Sequence, residues 1–271
     1  MNTEDQGANS AFSLQPSAFH PVLFVGAGPG DPELITIKGR KALAAADLVV
    51  YAGSLVPEAL LAWTRPGTPT VNSAPLPLEE IVAAMARAQR EGKRVVRLHT
   101  GDPSLYGAIF EQMAELQKLG IPYGVIPGVT AAFAAAAALG IEYTLPEVAQ
   151  TLILTRAAGR TPVPAGENLA GLAAHRTSMA IYLSMGQIEE VAATLAAEYG
   201  ETAPCAVVYQ ASQPGEKLIR TRLNELVERV RAEGIARQAL IIVGRVLEVA
   251  PQELKATSKL YDRDFEHGFR K

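Results

Sequence analysis

Short apolar runs that stop at glycine alternate along this chain with longer stretches whose apolar residues recur every three or four positions. The runs "VLFVGAG" (22–28), "DLVVYAG" (47–53), "KRVVRLHTG" (93–101) and "YGVIPG" (123–128) read as strands. Between them, "PELITIKGRKALAAA", "LEEIVAAMARAQREG", "SLYGAIFEQMAELQKLG" and the alanine-rich "TAAFAAAAALG" read as helices. Strict strand–helix alternation predicts a mainly parallel sheet covered by helices.

The pattern changes after "IEYTLPEVAQ" (141–150). "TLILTRA" and "SMAIYLSMG" are strands, with a helix candidate "NLAGLAAH" before the second. A helix over "IEEVAATLAAEYG" leads to the strands "PCAVVYQAS" and "EKLIRTRL", joined by the turn-rich "SQPGE". "NELVERVRAEG" and "QALIIVGRVLEV" follow as helix and strand. Neighbouring strands on a short turn pair antiparallel, so this half is expected to form a mixed sheet. The fold class is α/β with two α/β domains. The expected division is a disordered N-terminal tail over 1–19, domains over 20–140 and 141–250, and a C-terminal tail over 251–271.

Composition narrows the partners. Among 271 residues, 48% are hydrophobic and the formal net charge is −3. That charge supplies no cationic field, which disfavours nucleic acid as a partner. No apolar run approaches a membrane span, and the polar first 19 residues lack the pattern of a secretory signal. A cytoplasmic protein is expected. The single cysteine, Cys205, lies in an apolar run and reads as inert packing. His20, His99, His175 and His267 show no metal-ligand spacing, so no metal is expected.

The chemistry concentrates at the glycine corners. "GAGPGDPEL" and "TGDPSLYG" both place Gly-Asp-Pro just past a strand, and "IPGVT" makes a third corner. Ligands of open parallel sheets sit beyond the strands' carboxyl ends, and glycine admits close approach of ligand to backbone. Asp31 and Asp102 also suit helix N-caps followed by proline, and Thr130 suits the cap of the alanine helix. A nicotinamide site is disfavoured: Asp47 lies at the wrong end of its strand, Ala52-Gly53 offers no carboxylate, and Asp31 would repel a pyrophosphate. No Gly-Lys-Ser/Thr follows to make a P-loop.

"VGAGPGDPELITIKG", "TGDPSLYG", "IPGVTAA" and "YLSMG" together resemble, in order, the motifs of the tetrapyrrole methylases. "YAGSLVPEALL", "LHTGDPSLYGAIFEQ" and "SKLYDRDFEHGFRK" resemble the branch that methylates precorrin-4 at carbon 11 in cobalamin synthesis. The resemblance implies two α/β domains, S-adenosyl-L-methionine bound between them and released as S-adenosyl-L-homocysteine, a small-molecule tetrapyrrole acceptor, and a homodimer. It places Pro29, Thr100, Gly101, Asp102, Leu105, Thr130, Ala131, Met185 and Ala211 against the cofactor.

Tyr51, Ser54, Arg97 and His99 are candidates for lining the acceptor pocket. Strand alternation puts Arg97 and His99 on one face, expected to look into the interdomain trough. Arg156, Lys259, Arg263 and Arg270 are further candidate anchors for ring carboxylates. The aspartate and lysine that uroporphyrinogen methylases carry near the second strand are missing here, where Tyr51 precedes Ala52, so no catalytic base is assigned. "GSLVPEALLAW" (53–63) reads as an exposed apolar stretch suited to a dimer contact. The alternatives are a methylase of cobalt-precorrin-4, of uroporphyrinogen or of a macromolecule, and a non-catalytic S-adenosylmethionine-binding regulator.

Overall fold

The computed structural model describes residues 20–253, 258–261, 265, 266 and 268. The expected tail over 1–19, and Arg263, His267 and Arg270, lie outside the described residues.

The first half is a five-stranded sheet in the order β3-β2-β4-β1-β5, built from β1 (Val22–Gly26), β2 (Leu48–Tyr51), β3 (Thr70–Asn72), β4 (Val95–His99) and β5 (Tyr123–Ile126). All its pairings are parallel, as the alternation predicted. One face carries α1 (Ile37–Ala45) and the 3-10 turn Glu58–Trp63. There Val25, Val49, Val96 and Leu98 pack with Leu43 and Leu60. The other face carries α2 (Leu78–Arg90) and α3 (Ile109–Lys118), with Phe24, Val50, Val95, Met85 and Leu116 buried between. Each such fully buried side chain contributes about 1.5–3 kcal/mol relative to exposure.

The second half is a mixed sheet, order β6-β7-β10-β8-β9: β6 (Leu152–Arg156), β7 (Ser178–Tyr182), β8 (Pro204–Tyr209), β9 (Lys217–Arg222) and β10 (Ala239–Val243). β6 and β7 pair parallel; β7–β10, β10–β8 and the β8–β9 hairpin pair antiparallel. Helices α5 (Leu169–Ala173), α6 (Ile188–Tyr199) and α7 (Leu226–Ala232) cover one face. Its other face receives α4 (Ala131–Leu139), counted above with the first half. Ala132, Ala135 and Ala136 lie against Ala180, Ala206, Val208 and Ile242. Alanines on both surfaces let helix and sheet approach closely, so α4, which follows β5 in the chain, packs on the second sheet.

Several boundaries differ from the sequence reading. β3 was not foreseen; its three residues are too few to show an alternation. α1 begins at Ile37, because Thr36 accepts the N–H of Gly39 and caps it there. α3 begins only at Ile109, since Tyr106 and Ala108 adopt positive φ and break the helix that "SLYGAIF" suggested. After Val243 the chain turns into a 3-10 helix, Arg245–Leu247, instead of extending the strand. The stretch 53–63 is not an open apolar face: Val56 and Leu60 are buried, and the Trp63 indole N–H donates to the Pro32 carbonyl.

Candidate functional site

Three strand ends of the first sheet meet at glycine. A Cβ on Gly26 would stand 2.5 Å from the Gly128 nitrogen and 2.7 Å from the Gly101 carbonyl oxygen. Gly28 and Gly101 also exchange backbone hydrogen bonds, 3.2 and 2.7 Å. The glycines of β1, β4 and β5 therefore admit neighbouring backbone, where the sequence reading had them admit ligand. Gly101, at φ 58°, also sits where L side chains are disfavoured.

Asp31 behaves as a cap, accepting the Glu33 N–H at 2.8 Å ahead of a 3-10 turn. Asp102 does not cap a helix. Its two carboxylate oxygens accept the N–H groups of Ser104 (2.8 Å) and Gly128 (2.9 Å), which fixes the β4 corner to the β5 corner. Thr130 sits at the N-cap of α4 but makes no side-chain cap bond. Its hydroxyl pairs instead with the Tyr182 hydroxyl at 2.8 Å, and that same phenol accepts the Ala132 N–H at 2.9 Å. Burial pushes the Tyr182 phenol above its usual range, so it stays protonated at neutral pH.

These corners form one wall of a cavity of about 470 Å3 between the two sheets, inside the roughly 300–1,000 Å3 range of small-molecule sites. Pro29, Thr100, Gly101, Asp102, Leu105, Thr130 and Ala131 line it from the first half and α4; Met185 and Ala211 line it from the second. All nine residues assigned to the cofactor by resemblance thus border one space. Ser54 borders it as well.

The opposite wall holds residues that the sequence reading missed. Leu183, Gln210 and Gln238 line the cavity, and all three have positive φ, as does the adjoining Ser212. Non-glycine residues held in that region carry about 1–3 kcal/mol of strain each, so the surrounding contacts must hold them. Around Ser212 and Gln238 three bonds cross between the halves: Asp31 N–H to Ser212 Oγ (3.1 Å), Gln213 Nε2 to the Pro29 carbonyl (3.2 Å) and Gln238 Nε2 to the Ser54 carbonyl (3.3 Å), while Gln210 Nε2 donates to Gln238 Oε1 within its own half (3.0 Å). Tyr182 and Leu183 fall inside the quoted "YLSMG", the one signal that could have found them. Gln213 and Gln238 carry no such signal.

A second cavity, about 410 Å3, opens beside the first and shares Leu55, Thr100, Leu105 and Tyr106 with it. Arg97 and His99 do share a face, but it looks onto α2 and α3 and into this second cavity, not into the trough between the sheets. Both are only 4% exposed. His99 stacks on Phe24 with ring centres 5.9 Å apart. Burial, with the Arg97 charge second, pushes the His99 imidazole down to about 3.

Tyr51 is buried in the α1-side core and borders neither cavity. Arg156 is not presented to a ligand either, since its guanidinium donates to the carbonyls of Ala157, Thr161 and Pro162 in its own loop. Lys259 is exposed in a short 3-10 turn.

An S-adenosyl donor suits the first cavity by its surfaces. Pro29, Leu105, Ala131, Met185 and Ala211 give apolar walls to a flat base, the Asp102 carboxylate suits cationic groups, and the N-terminus of α4 suits a carboxylate.

Comparison with known proteins identifies the family. Residues 21–227 match the model of the Tetrapyrrole (Corrin/Porphyrin) Methylases. The cobalt-precorrin-4 C(11)-methyltransferase of Methanocaldococcus jannaschii is 54% identical over 92% of this chain and 96% of its own. The precorrin-4 C(11)-methyltransferase of Pseudomonas aeruginosa is 49% identical over 92% and 98%. The X-ray structure of a cobalt precorrin-4 methyltransferase, a cobalamin biosynthetic enzyme, superposes with a TM-score of 0.82 at 47% identity, covering 84% of this chain and 95% of that one. With a family match across three-quarters of its length and near-full-length relatives, this chain belongs to the tetrapyrrole methylases.

Proposed function

We infer that the chain is an S-adenosylmethionine-dependent methyltransferase that methylates a precorrin-4 ring at carbon 11, giving precorrin-5, in corrin-ring synthesis. The observation that carries this reading is the convergence of residues from four separated motifs on one cavity between the sheets. The near-full-length relatives named for the same reaction support it.

The bound cofactor supplies an electrophilic methyl on a sulfonium; the chain supplies position. Pro29, Leu105, Met185 and Ala211 would hold the cofactor against apolar walls. Thr100, Gly101 and Asp102 would lie along its amino-acid portion, while Thr130 and Ala131 would offer the start of α4. Because Asp102 and Tyr182 fix their corners by hydrogen bonds, these walls are set before the acceptor arrives. Alignment of donor and acceptor then lowers the barrier without a covalent enzyme intermediate. Ser54, Arg97 and His99 are proposed on the acceptor side, through the space that Tyr106 shares between the cavities. Tyr51, buried in the α1-side core, borders neither cavity and is not proposed as a contact. Assembly as a homodimer and a cytoplasmic location belong to the same proposal.

The test is calorimetry with S-adenosylmethionine followed by assay with metal-free and cobalt-loaded precorrin-4. Saturable binding and stoichiometric S-adenosylhomocysteine with either ring supports the reading, and the preferred ring states the route. Tight binding with no S-adenosylhomocysteine formed from either ring would leave only a regulator.

A further inference from the structure

The smaller cavity contains two polar groups that the protein itself leaves incomplete. Arg97 donates from Nε to Gln112 Oε1 at 2.9 Å and from Nη1 to the Val50 carbonyl at 3.3 Å. Both acceptors are neutral. Among the described residues no carboxylate pairs with this guanidinium, and Nη2 donates to no protein group. Next to it, His99 lines the cavity, and its buried Nε2 has no hydrogen-bond partner among the described residues.

A buried cation without a counter-charge is costly, because neutral carbonyls do not offset its lost hydration. Burial pushes the Arg97 guanidinium down to about 10, the direction expected of an uncompensated charge. The other titratable groups at this cavity are Tyr106 and Glu111. Burial raises the Tyr106 phenol, which leaves it neutral. Glu111 is exposed on the first turn of α3 and forms no ion pair with Arg97. The missing partner is therefore an anion from outside, and its shape follows from the donors: a guanidinium edge and one ring nitrogen suit a planar carboxylate.

We propose that this cavity is a carboxylate subsite, in which Arg97 and His99 Nε2 together hold one acid arm of the tetrapyrrole. The proposal rests on the methylase reading above for the identity of the ligand. The two cavities share Thr100, Leu105 and Tyr106, so an arm fixed here sets the rotation of the ring over the donor methyl. Arg97 and His99 would thus select which ring carbon is presented.

The probe is propionate, with propionamide as its uncharged counterpart and chloride at matched ionic strength. Imidazole nitrogen shifts are followed on the wild-type protein, with the His99 signal identified by its loss in His99→Gln. Propionate is expected to move that signal saturably and to raise its titration midpoint by about one unit or more. Arg97→Lys, which keeps the charge but loses the fork, should weaken the response about tenfold. The wild-type comparison stands even if Arg97→Lys does not fold. No saturable shift, or an equal response to propionamide or chloride, overturns the subsite. Turnover measured on the same sample separates the two readings. Methyl transfer without a propionate response removes the subsite alone. A propionate response without methyl transfer removes the proposed function and leaves a carboxylate site.

Discussion

The two walls of the cofactor cavity are held by opposite means. On the first-half wall, glycines let three backbone corners mesh: Gly26, Gly101 and Gly128 stand where any Cβ would collide or strain, and backbone hydrogen bonds join Gly28 to Gly101. On the second-half wall the chain turns just as sharply, but at Leu183, Gln210, Ser212 and Gln238, whose positive φ is unfavourable for L residues. That wall is held in place by side-chain bonds reaching across to the other half. The meshed corners of one wall are built by removing atoms; the turns of the other are strained residues, of which the first wall has its own single example at Tyr106 (φ 56°). Damage to the first should unfold the molecule, whereas damage to the second should loosen the site.

Gly128→Ala tests the meshed wall and should have the largest effect. The new Cβ would collide with the Gly101 carbonyl and lie within 2.8 Å of the Gly26 Cα, and neither backbone segment can give way without breaking the β1–β4–β5 register. A loss of about 3 kcal/mol or more is expected, read from denaturant melts, together with loss of S-adenosylmethionine binding. A near-wild-type melt would mean that the three corners are not meshed.

The same half also buries its most perturbed base. The His99 imidazole is held near 3 when folded, against an ordinary value near 6.5. The folded state therefore binds fewer protons than the unfolded chain between those values. The stabilisation is complete above about pH 6.5 and is lost as the pH falls toward 3. From pH 8 to pH 5 this group should withdraw about 2 kcal/mol. His99→Gln should flatten that part of the stability curve, as equilibrium melts across pH would show. An unchanged acid limb would place the sensitivity elsewhere.

Tyr182→Phe addresses the joint between the walls. It removes the bonds to Thr130 Oγ1 and to the Ala132 N–H while leaving the ring against Tyr106, 5.5 Å away. The expected loss is about 1–1.5 kcal/mol of stability, with a weaker S-adenosylmethionine affinity by calorimetry. If only stability falls, the start of α4 does not carry the cofactor.

What the sequence made legible divides along the same line. Glycine at a strand end is visible in one-letter code because its absence of a side chain is the cause of the geometry. "GAGPGD", "TGD" and "IPG" thus marked the first wall, and strand–helix alternation marked the parallel sheet. The second wall left almost no mark. Gln238 and Ser212 are ordinary loop residues, and the partners they meet across the cavity, Ser54 and Asp31, lie more than 180 positions away. Thr130 illustrates the same limit: its local pattern promised a helix cap, but the Tyr182 hydroxyl competes for it from 52 residues along the chain. Arg97 and His99 were correctly placed together by strand alternation. Their cavity was not, because which helices cover a sheet face is not written in the strand.

Leu183→Gly separates strain from tethering most directly, and its effect should be the smallest. Leu183 has φ 55° and is 68% exposed, so removing the side chain sacrifices little buried surface. Relief of the left-handed conformation is worth about 1–2 kcal/mol. Against that, glycine raises the entropy of the unfolded chain by an amount worth roughly 0.4–1 kcal/mol. The balance predicts a gain of about 0.5–1 kcal/mol in stability. The cavity nonetheless loses one apolar contact, and its wall is freer to move, so cofactor affinity should fall while the melting midpoint rises. Gly101→Ala, at nearly the same φ on the other wall, should lower both. A rise in stability for Leu183→Gly together with a fall for Gly101→Ala would locate the strain in the second wall. Destabilisation by both would mean that Leu183 is held by packing that outweighs its backbone cost.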